Sequence, residues 1–181
     1  MSKVIFIPWD EGRVASEIGE ARDWQTERPG VYKIACYTGA KVQSISSLAV
    51  GHLYVVGHGA PGDSTIDSDS GDSIDYQETV NRVIKSGLSK WFSGAIKIYA
   101  CNSGVRTNSS AAFAKLFAKE IYSRGYLLCR VYGYNGSLSA YYVDIGTHKH
   151  AHKRARIKDD DDNIVSETRA SNNRMYFSGL F

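Results

Sequence analysis

The sequence predicts a three-layer α/β fold, in which helices cover both faces of a mostly parallel sheet and a small antiparallel β extension follows. Short apolar runs that end at turn residues recur through the first 136 residues, a pattern typical of strands buried on both faces. Stretches with apolar residues at helical spacing separate these runs. We expect a single domain over residues 1–181, with the α/β core at about 1–136 and the β extension at about 140–181.

The core elements follow from apolar spacing and from turn residues at the element ends. Five strands are predicted, at Val4 to Pro8, Val31 to Tyr37, Leu53 to Val56, Ala95 to Ala100 and Leu127 to Tyr132. Three helices are predicted, at Asp10 to Trp24, at about Tyr76 to Trp91, and from a cap at Thr107 or Asn108 to Gly125. The segment from Ala60 to Asp75 carries five aspartates among serines and glycines, which predicts a flexible loop that cannot pack.

The pattern changes after Ala140, where short β-prone segments replace the alternation of strands and helices. These segments lie at Tyr141 to Ile145, Lys153 to Ile157 and Arg174 to Phe177, with an acidic turn, Asp159 to Asp162, between the last two. We expect an antiparallel extension packed on one edge of the sheet.

Composition excludes several classes of function. The net charge of +3 is too small to require a nucleic-acid partner, and no apolar stretch approaches the roughly 20 residues of a membrane span. Three cysteines without CxxC spacing argue against a disulfide framework. Without a recognisable signal peptide we expect a cytoplasmic protein as synthesised, and export as an effector and the oligomeric state stay open.

Two predicted strands end in a reactive side chain, and these two ends define the candidate site. His58 follows the strand in LYVVGHG (Leu53 to Gly59), and Cys101 follows the strand in AIKIYACNSG (Ala95 to Gly104). Ligand sites of parallel sheets lie beyond the carboxyl ends of the strands, so a thiol and an imidazole are expected at one edge. Such a pair suits covalent cysteine catalysis, because a neighbouring imidazolium or helix N-terminus stabilises the nucleophilic thiolate.

A structural role for both residues is the alternative, because a cysteine that ends a buried strand is often only a small apolar residue. A His-Gly pair is likewise a common turn. His52 lies roughly 20 Å from His58 along an extended strand, at the opposite end. Cys36 and Cys129 fall inside predicted strands and are expected to be buried apolar residues.

The motifs VVGHG and IYACNSG resemble those of the caspase-like cysteine peptidases, the group that includes legumain, gingipain, clostripain and the self-processing domains of large bacterial toxins. The histidine and the cysteine are 43 residues apart, and the resemblance covers about Val4 to Gly136. It implies a caspase-like fold and a cysteine endopeptidase with Cys101 as nucleophile and His58 as acid and base, for which self-cleavage is open. It further implies that the Gly59 and Cys101 N–H groups form the oxyanion hole, and that no third acid, metal or cofactor is required.

In this group of peptidases, loops after the first, fourth and fifth strands form the pocket for the residue before the scissile bond. By position this pocket would be lined by Trp9, Asp10, Tyr99, Asn102, Ser103, Tyr132, Tyr134 and Asn135. Asp10 and the acidic loop favour a basic substrate residue, whereas Tyr99 stands where some relatives carry an acid. A tyrosine-lined pocket for a bulky or apolar residue is equally open.

The densest positive cluster of the chain is HKHAHKRARIK, His148 to Lys158, with basic residues Lys149, Lys153, Arg154, Arg156 and Lys158. Three interpretations stay open. The cluster could form an exposed strand balanced by the acidic turn, or hold a metal through the alternate histidines at 148, 150 and 152. It could also bind inositol hexakisphosphate, the allosteric activator of several toxin self-processing domains.

Three functions are compatible with these features. The first is a cysteine endopeptidase with a protein or peptide substrate. The second is a non-enzymatic caspase-like module that binds a polyanion or a protein partner through the basic extension. The third is a hydrolase of a non-peptide acyl substrate, which would use the same dyad and differ only in the pocket.

Overall fold

The computed structural model describes residues 2–139, 153–159, 161 and 163–178. The described strands are β1 (Lys3–Ile7), β2 (Tyr32–Cys36), β3 (His52–Val56), β4 (Thr65–Asp67), β5 (Ser73–Asp75), β6 (Ala95–Tyr99), β7 (Arg130–Tyr134), β8 (Ser137–Ser139), β9 (Arg154–Lys158), β10 (Ile164–Arg169) and β11 (Arg174–Phe177). The described helices are α1 (Ala15–Glu27), α2 (Gln43–Ser46), α3 (Tyr76–Lys85) and α4 (Phe113–Ser123). None of them is both long and apolar enough to cross a membrane.

The central sheet has six strands in the order β11-β7-β6-β3-β1-β2. The strands β2, β1, β3, β6 and β7 run parallel, and β11 pairs antiparallel with β7. The chain thus has a mostly parallel α/β sheet flanked by helices, as its alternating pattern predicts. Strand β1 illustrates the link between apolar sequence and a parallel sheet. Its last four residues, VIFI, are almost completely buried, as expected for a strand in the middle of such a sheet.

The two faces of this sheet differ in chemistry because side chains alternate along each strand. On one face Trp24 of α1 packs edge-on against Tyr54 and Tyr99, with ring centroids 5.7 and 4.8 Å apart. We call this the tyrosine face. On the opposite face α4 packs so closely on β7 that a Cβ at Gly133 would lie 2.6 Å from the Cβ of Ala114.

The segment from Ala60 to Asp75 is not the loop that its composition predicts. It contains the hairpin of β4 and β5, in which Ile66 pairs with Ile74 and both are buried. Two apolar residues eight positions apart are enough to anchor this hairpin, although polar residues surround them. The prediction of a segment that cannot pack is therefore wrong.

Several predicted boundaries also change. Helix α3 begins at Tyr76 as predicted, where Asp75 caps the amide of Glu78 at 2.7 Å, but it ends at Lys85 because Gly87 adopts φ +97°. The first predicted helix is a 3-10 turn at Glu11–Arg13 followed by α1.

Helix α4 begins later than predicted, at Phe113, because the Thr107 hydroxyl instead accepts the amide of Ser110 within a loop. Strand β7 begins at Arg130, after the exposed Leu127 and Leu128.

The C-terminal β extension divides between two sheets. Strand β11 joins the central sheet, whereas β8, β9 and β10 form a separate antiparallel sheet. The predicted strands at Lys153 to Ile157 and Arg174 to Phe177 match β9 and β11, and β10 was not predicted. The predicted strand at Tyr141 to Ile145 lies outside the described residues.

Candidate active site

The parallel pairing of β3 with β6 brings the two reactive side chains to the same sheet edge. Val56 pairs with Tyr99 at the ends of these strands, and His58 and Cys101 each follow two residues later. The chain segments also approach each other beyond the strands, since a Cβ at Gly59 would lie 3.0 Å from the Cys101 carbonyl oxygen. Both side chains line one pocket of about 60 Å³. The other residues around it are Ser16, Glu17, Glu20, Val56, Gly57, Asp69, Tyr99 and Leu138.

A tight turn presents the Cys101 side chain. Asn102 adopts φ +54°, a left-handed conformation that asparagine tolerates better than most residues. Its amide donates to the Gly136 carbonyl at 3.0 Å, and its side-chain oxygen accepts the Gly136 amide at 3.0 Å. The loop after β7 therefore fixes the turn that carries the thiol.

Strand β8 supplies a hydrogen-bond donor to the thiol. The backbone amide of Leu138 donates to Cys101 Sγ at 3.2 Å. A helix starting near Asn108 would bring its N-terminus close to the thiol, but this prediction is wrong. Helix α4 starts at Phe113, and its Ala114 amide donates to the Ser103 carbonyl at 2.9 Å.

The imidazole of His58 has a carboxylate partner that the sequence pattern does not single out. His58 Nε2 lies 2.5 Å from Oδ1 of Asp69, in the turn between β4 and β5. Because Nε2 is engaged by Asp69, Nδ1 is the nitrogen left for proton exchange. The sequence shows five aspartates after His58 but does not indicate which of them contacts the imidazole. The hairpin brings Asp69 to His58, and backbone pairing of Asp67 with His58 holds the hairpin there.

A second carboxylate, Glu17 on α1, holds Asp69 in place. Glu17 Oε1 accepts the amide of Asp69 at 2.9 Å, and Glu17 is almost completely buried. Burial, followed by the neighbouring side chain of Asp69, raises the pKa of Glu17 to about 6. The hydrogen bond with Glu17, together with that from His58, lowers the pKa of Asp69 to about 2. Asp69 is therefore the more acidic member of the pair, and its carboxylate faces the imidazole.

The same three side chains have the composition of a metal site. Ligand atoms of Glu17, His58 and Asp69 all lie within 4.8 Å of one another.

The residues predicted for the specificity pocket are dispersed. Tyr99 lines the pocket beside His58 and Cys101. Trp9 is buried, and its ring would lie 3.1 Å from a Cβ at Gly57.

Ser103 and Tyr134 lie in the interior below the turn. The Ser103 hydroxyl donates to the Ile98 carbonyl at 2.8 Å and accepts the Tyr134 amide at 3.1 Å. Tyr134 packs on Tyr99 with ring centroids 5.4 Å apart. These contacts assign Ser103 and Tyr134 to the support of the site.

The remaining predicted pocket residues lie away from the dyad. Asp10 forms an exposed ion pair with Arg13 at 3.3 Å. Tyr132 packs against Tyr176 of β11, and Asn135 lines a separate open groove beside α4.

A larger, strongly basic cavity lies on the tyrosine face, between the central sheet and the C-terminal extension. Its volume is about 260 Å³, and we call it the basic pocket. Its basic residues are Lys3, Arg28, Lys97, Lys153, Arg169 and Arg174, and Glu27 is the one acid among the described lining residues.

Lys153 is enclosed by aromatic rings within the basic pocket. Its ammonium nitrogen lies 2.8 Å from the centroid of Trp24 and 3.8 Å from that of Tyr54, and it has no hydrogen-bond partner within the described structure. Burial, followed by the charge of Lys97, lowers its pKa well below the ordinary value.

The other described residues of the predicted polyanion cluster do not line the basic pocket. Arg154 and Arg156 face Glu167 at 3.8 and 2.5 Å. Lys158 lies at the exposed end of β9, and Lys149 falls outside the described residues.

Neither a scan against models of known protein families nor a search of curated proteins finds a match to this chain.

Proposed function

We propose that this protein is a caspase-like cysteine endopeptidase that uses the His58 and Cys101 side chains. The observation that carries the proposal is their meeting in one pocket at the carboxyl ends of adjacent parallel strands. A backbone donor on the thiol and a carboxylate on the imidazole add the two features that an activated cysteine needs.

The reaction proceeds through a thioacyl intermediate. The Cys101 thiolate attacks the scissile carbonyl carbon, and the carbonyl oxygen gains charge beside the N–H groups of Gly59 and Cys101. His58 gives a proton from Nδ1 to the leaving amine as the C–N bond breaks. A water molecule, losing its proton to His58, then attacks the thioester, and the C–S bond breaks to release the acid and the thiolate.

Asp69 acts as a positioning residue in this scheme. It holds Nε2, so the ring keeps Nδ1 toward the reacting atoms. Glu17 accepts the backbone amide of Asp69, and this hydrogen bond fixes the position of the Asp69 carboxylate.

The charge of the pocket supports a basic residue on the acyl side of the scissile bond. Glu17, Glu20 and Asp69 all line it, and the described lining contains no lysine or arginine. Burial raises the pKa of Glu20, so a bound cation would favour its ionised form. A volume of about 60 Å³ also means that the pocket must widen to admit an arginine or lysine side chain.

The test is labelling by acyloxymethyl ketone probes that carry Arg, Lys, Asp, Asn or Leu next to the reactive group. We expect the Arg and Lys probes to label the native protein, and Cys101→Ala and His58→Ala to abolish labelling. Cys36→Ala is the matched control, because burial raises the pKa of that thiol to about 11 and its loss should change nothing. Labelling that survives Cys101→Ala, or no labelling by any probe, would refute the proposal.

The basic pocket favours a second candidate function, the binding of a polyanion such as inositol hexakisphosphate. Six basic side chains surround one cavity, and a multiply charged anion would relieve the repulsion between their charged forms. Binding could activate a peptidase or be the function of a non-enzymatic module.

Titration of inositol hexakisphosphate into Cys101→Ala protein tests this second function. We expect the affinity to fall steeply with salt and to drop in the double variant Lys3→Gln and Arg28→Gln. The exposed pair Lys115→Gln and Lys119→Gln on α4 is the control of equal charge. Equal losses in the two double variants would indicate unspecific attraction and reject the basic pocket as the site.

A further inference from the structure

The turn between β4 and β5 brings an imidazole and a carboxylate next to a buried glutamate of α1. The ligand atoms of Glu17, His58 and Asp69 lie within 4.8 Å of one another. Three ligands held by bonds of about 2.0 to 2.2 Å around a tetrahedral zinc ion are roughly 3.3 to 3.6 Å apart. The side chains of His58 and Asp69 are 56% and 28% exposed, which leaves them room to adjust toward this geometry.

Glu17 provides a separate sign that a cation belongs here. The residue is only 3% exposed, and its Oε2 atom is buried without a hydrogen-bond partner in the described structure. An unpaired buried carboxylate oxygen costs free energy unless a proton or a cation satisfies it. Its other oxygen is taken by the Asp69 amide, so Oε2 is the atom available as a ligand.

We propose that Glu17, His58 and Asp69 bind a divalent transition-metal ion, best matched by Zn²⁺, and that this ion switches off the His58 and Cys101 dyad. One imidazole nitrogen and two carboxylates form a donor set that suits Zn²⁺ and related ions better than Mg²⁺ or Ca²⁺, which prefer oxygen ligands alone. The second half of the proposal rests on the peptidase function, whereas the metal site does not.

The switch follows from the chemistry of the imidazole ring. A metal ion on Nε2 displaces the Asp69 hydrogen bond and leaves the proton on Nδ1. That ring cannot accept another proton, so it can neither form the imidazolium that pairs with the thiolate nor take a proton from water.

Binding is measured first, on metal-free Cys101→Ala protein, so that a thiol site cannot account for it. Co²⁺ is the probe, because visible bands report four-coordinate geometry, and competition with a chromophoric chelator gives the Zn²⁺ affinity. We expect one site per chain. Glu17→Gln, Asp69→Asn and His58→Ala should each weaken it by at least the roughly 10- to 100-fold that loss of a supporting partner costs.

Two controls locate the site. Asp63→Asn alters another aspartate of the same segment, and its affinity should be unchanged. The triple variant His148→Asn, His150→Asn, His152→Asn removes the alternate histidines and should also bind normally. Loss of binding in the triple variant alone, or an absence of Co²⁺ bands in the parent protein, overturns the site. Circular dichroism of each variant identifies any loss of affinity that comes from unfolding.

The regulatory half is tested on the native protein with the labelling probes. Zn²⁺ should suppress labelling at a concentration that matches its affinity, and a chelator should restore it. Asp69→Asn should need at least about tenfold more Zn²⁺ for the same suppression. Binding without any effect on labelling refutes the switch, and binding in a protein that no probe labels refutes the peptidase function while the metal site stands.

Discussion

Replacing Lys97 by methionine should make the stability of this protein less dependent on pH above neutrality. Lys97 lies in the middle of β6 and faces the basic pocket, where the residue is only 5% exposed. Its ammonium donates to Tyr54 at 3.2 Å and approaches His52 Nδ1 at 3.1 Å. Burial, then the charges of Arg174 and Lys3, lowers its pKa from 10.5 to about 8.

The sign of the effect follows from proton binding. Below pH 8 the lysine is protonated in both the folded and the unfolded chain, and the full cost of burying its charge is present. Between pH 8 and 10.5 the folded protein has released a proton that the unfolded chain retains, so the free energy of unfolding rises with pH. At about 1.4 kcal/mol per pH unit the limit is about 3 kcal/mol, and solvent at the mouth of the pocket reduces it to roughly 1.5 to 3 kcal/mol.

Urea unfolding at several pH values between 7.5 and 10.5 measures this effect. The difference in unfolding free energy between Lys97→Met and the native protein should shift by roughly 1.5 to 3 kcal/mol across the window, in favour of the variant at low pH. Titration of other groups affects both proteins equally and cancels in this difference. The variant also loses the contacts of Lys97 with Tyr54 and His52, but that loss is present at every pH and does not produce a shift. Lys119→Met, on the exposed side of α4, is the control and should give a constant difference. A constant difference for Lys97→Met as well would refute a buried, charge-perturbed lysine.

Three further substitutions test the site and its support. Gly59→Ala should lower the labelling rate of the native protein by about 10-fold or more, since the new Cβ would lie 3.0 Å from the Cys101 carbonyl oxygen where an oxyanion donor is expected. An unchanged rate would show that Gly59 is not close to the reacting atoms. Ser103→Ala should cost about 1 to 3 kcal/mol of unfolding free energy, because it leaves the buried Tyr134 amide without its acceptor. A loss clearly below this range would contradict the hydrogen bond between Tyr134 and Ser103. Phe117→Ala, at a fully buried position of α4, should cost about 3 to 5 kcal/mol by the same urea measurement, and a smaller loss would mean that the core is looser than described.

The order and type of the core elements follow from the local sequence. Apolar runs such as VIFI and LYVV have no charged side chain to offer to water, so they are suited to buried strands of a parallel sheet. The same reasoning predicts that residues following two neighbouring strands share one edge, which is why the pairing of His58 with Cys101 follows from their places in the chain. The helix start at Tyr76 and the strand at Arg174 to Phe177 are equally local, since they depend on a capping aspartate and on alternating side chains.

The distant groups that complete the site depend instead on tertiary contacts. Nothing local distinguishes Asp69 from the four other aspartates of its segment, because the distinction depends on the Ile66 and Ile74 pair that folds the hairpin against His58. The amide of Leu138 reaches the thiol because β8 lies beside the turn that follows β6, a contact between positions 37 residues apart. The basic pocket likewise gathers lysines and arginines from strands that are far apart in sequence, whereas the cluster visible in the sequence turns Arg154 and Arg156 toward Glu167. Charge along a chain shows how many cations are present, but the side to which each strand turns its side chains decides where they meet.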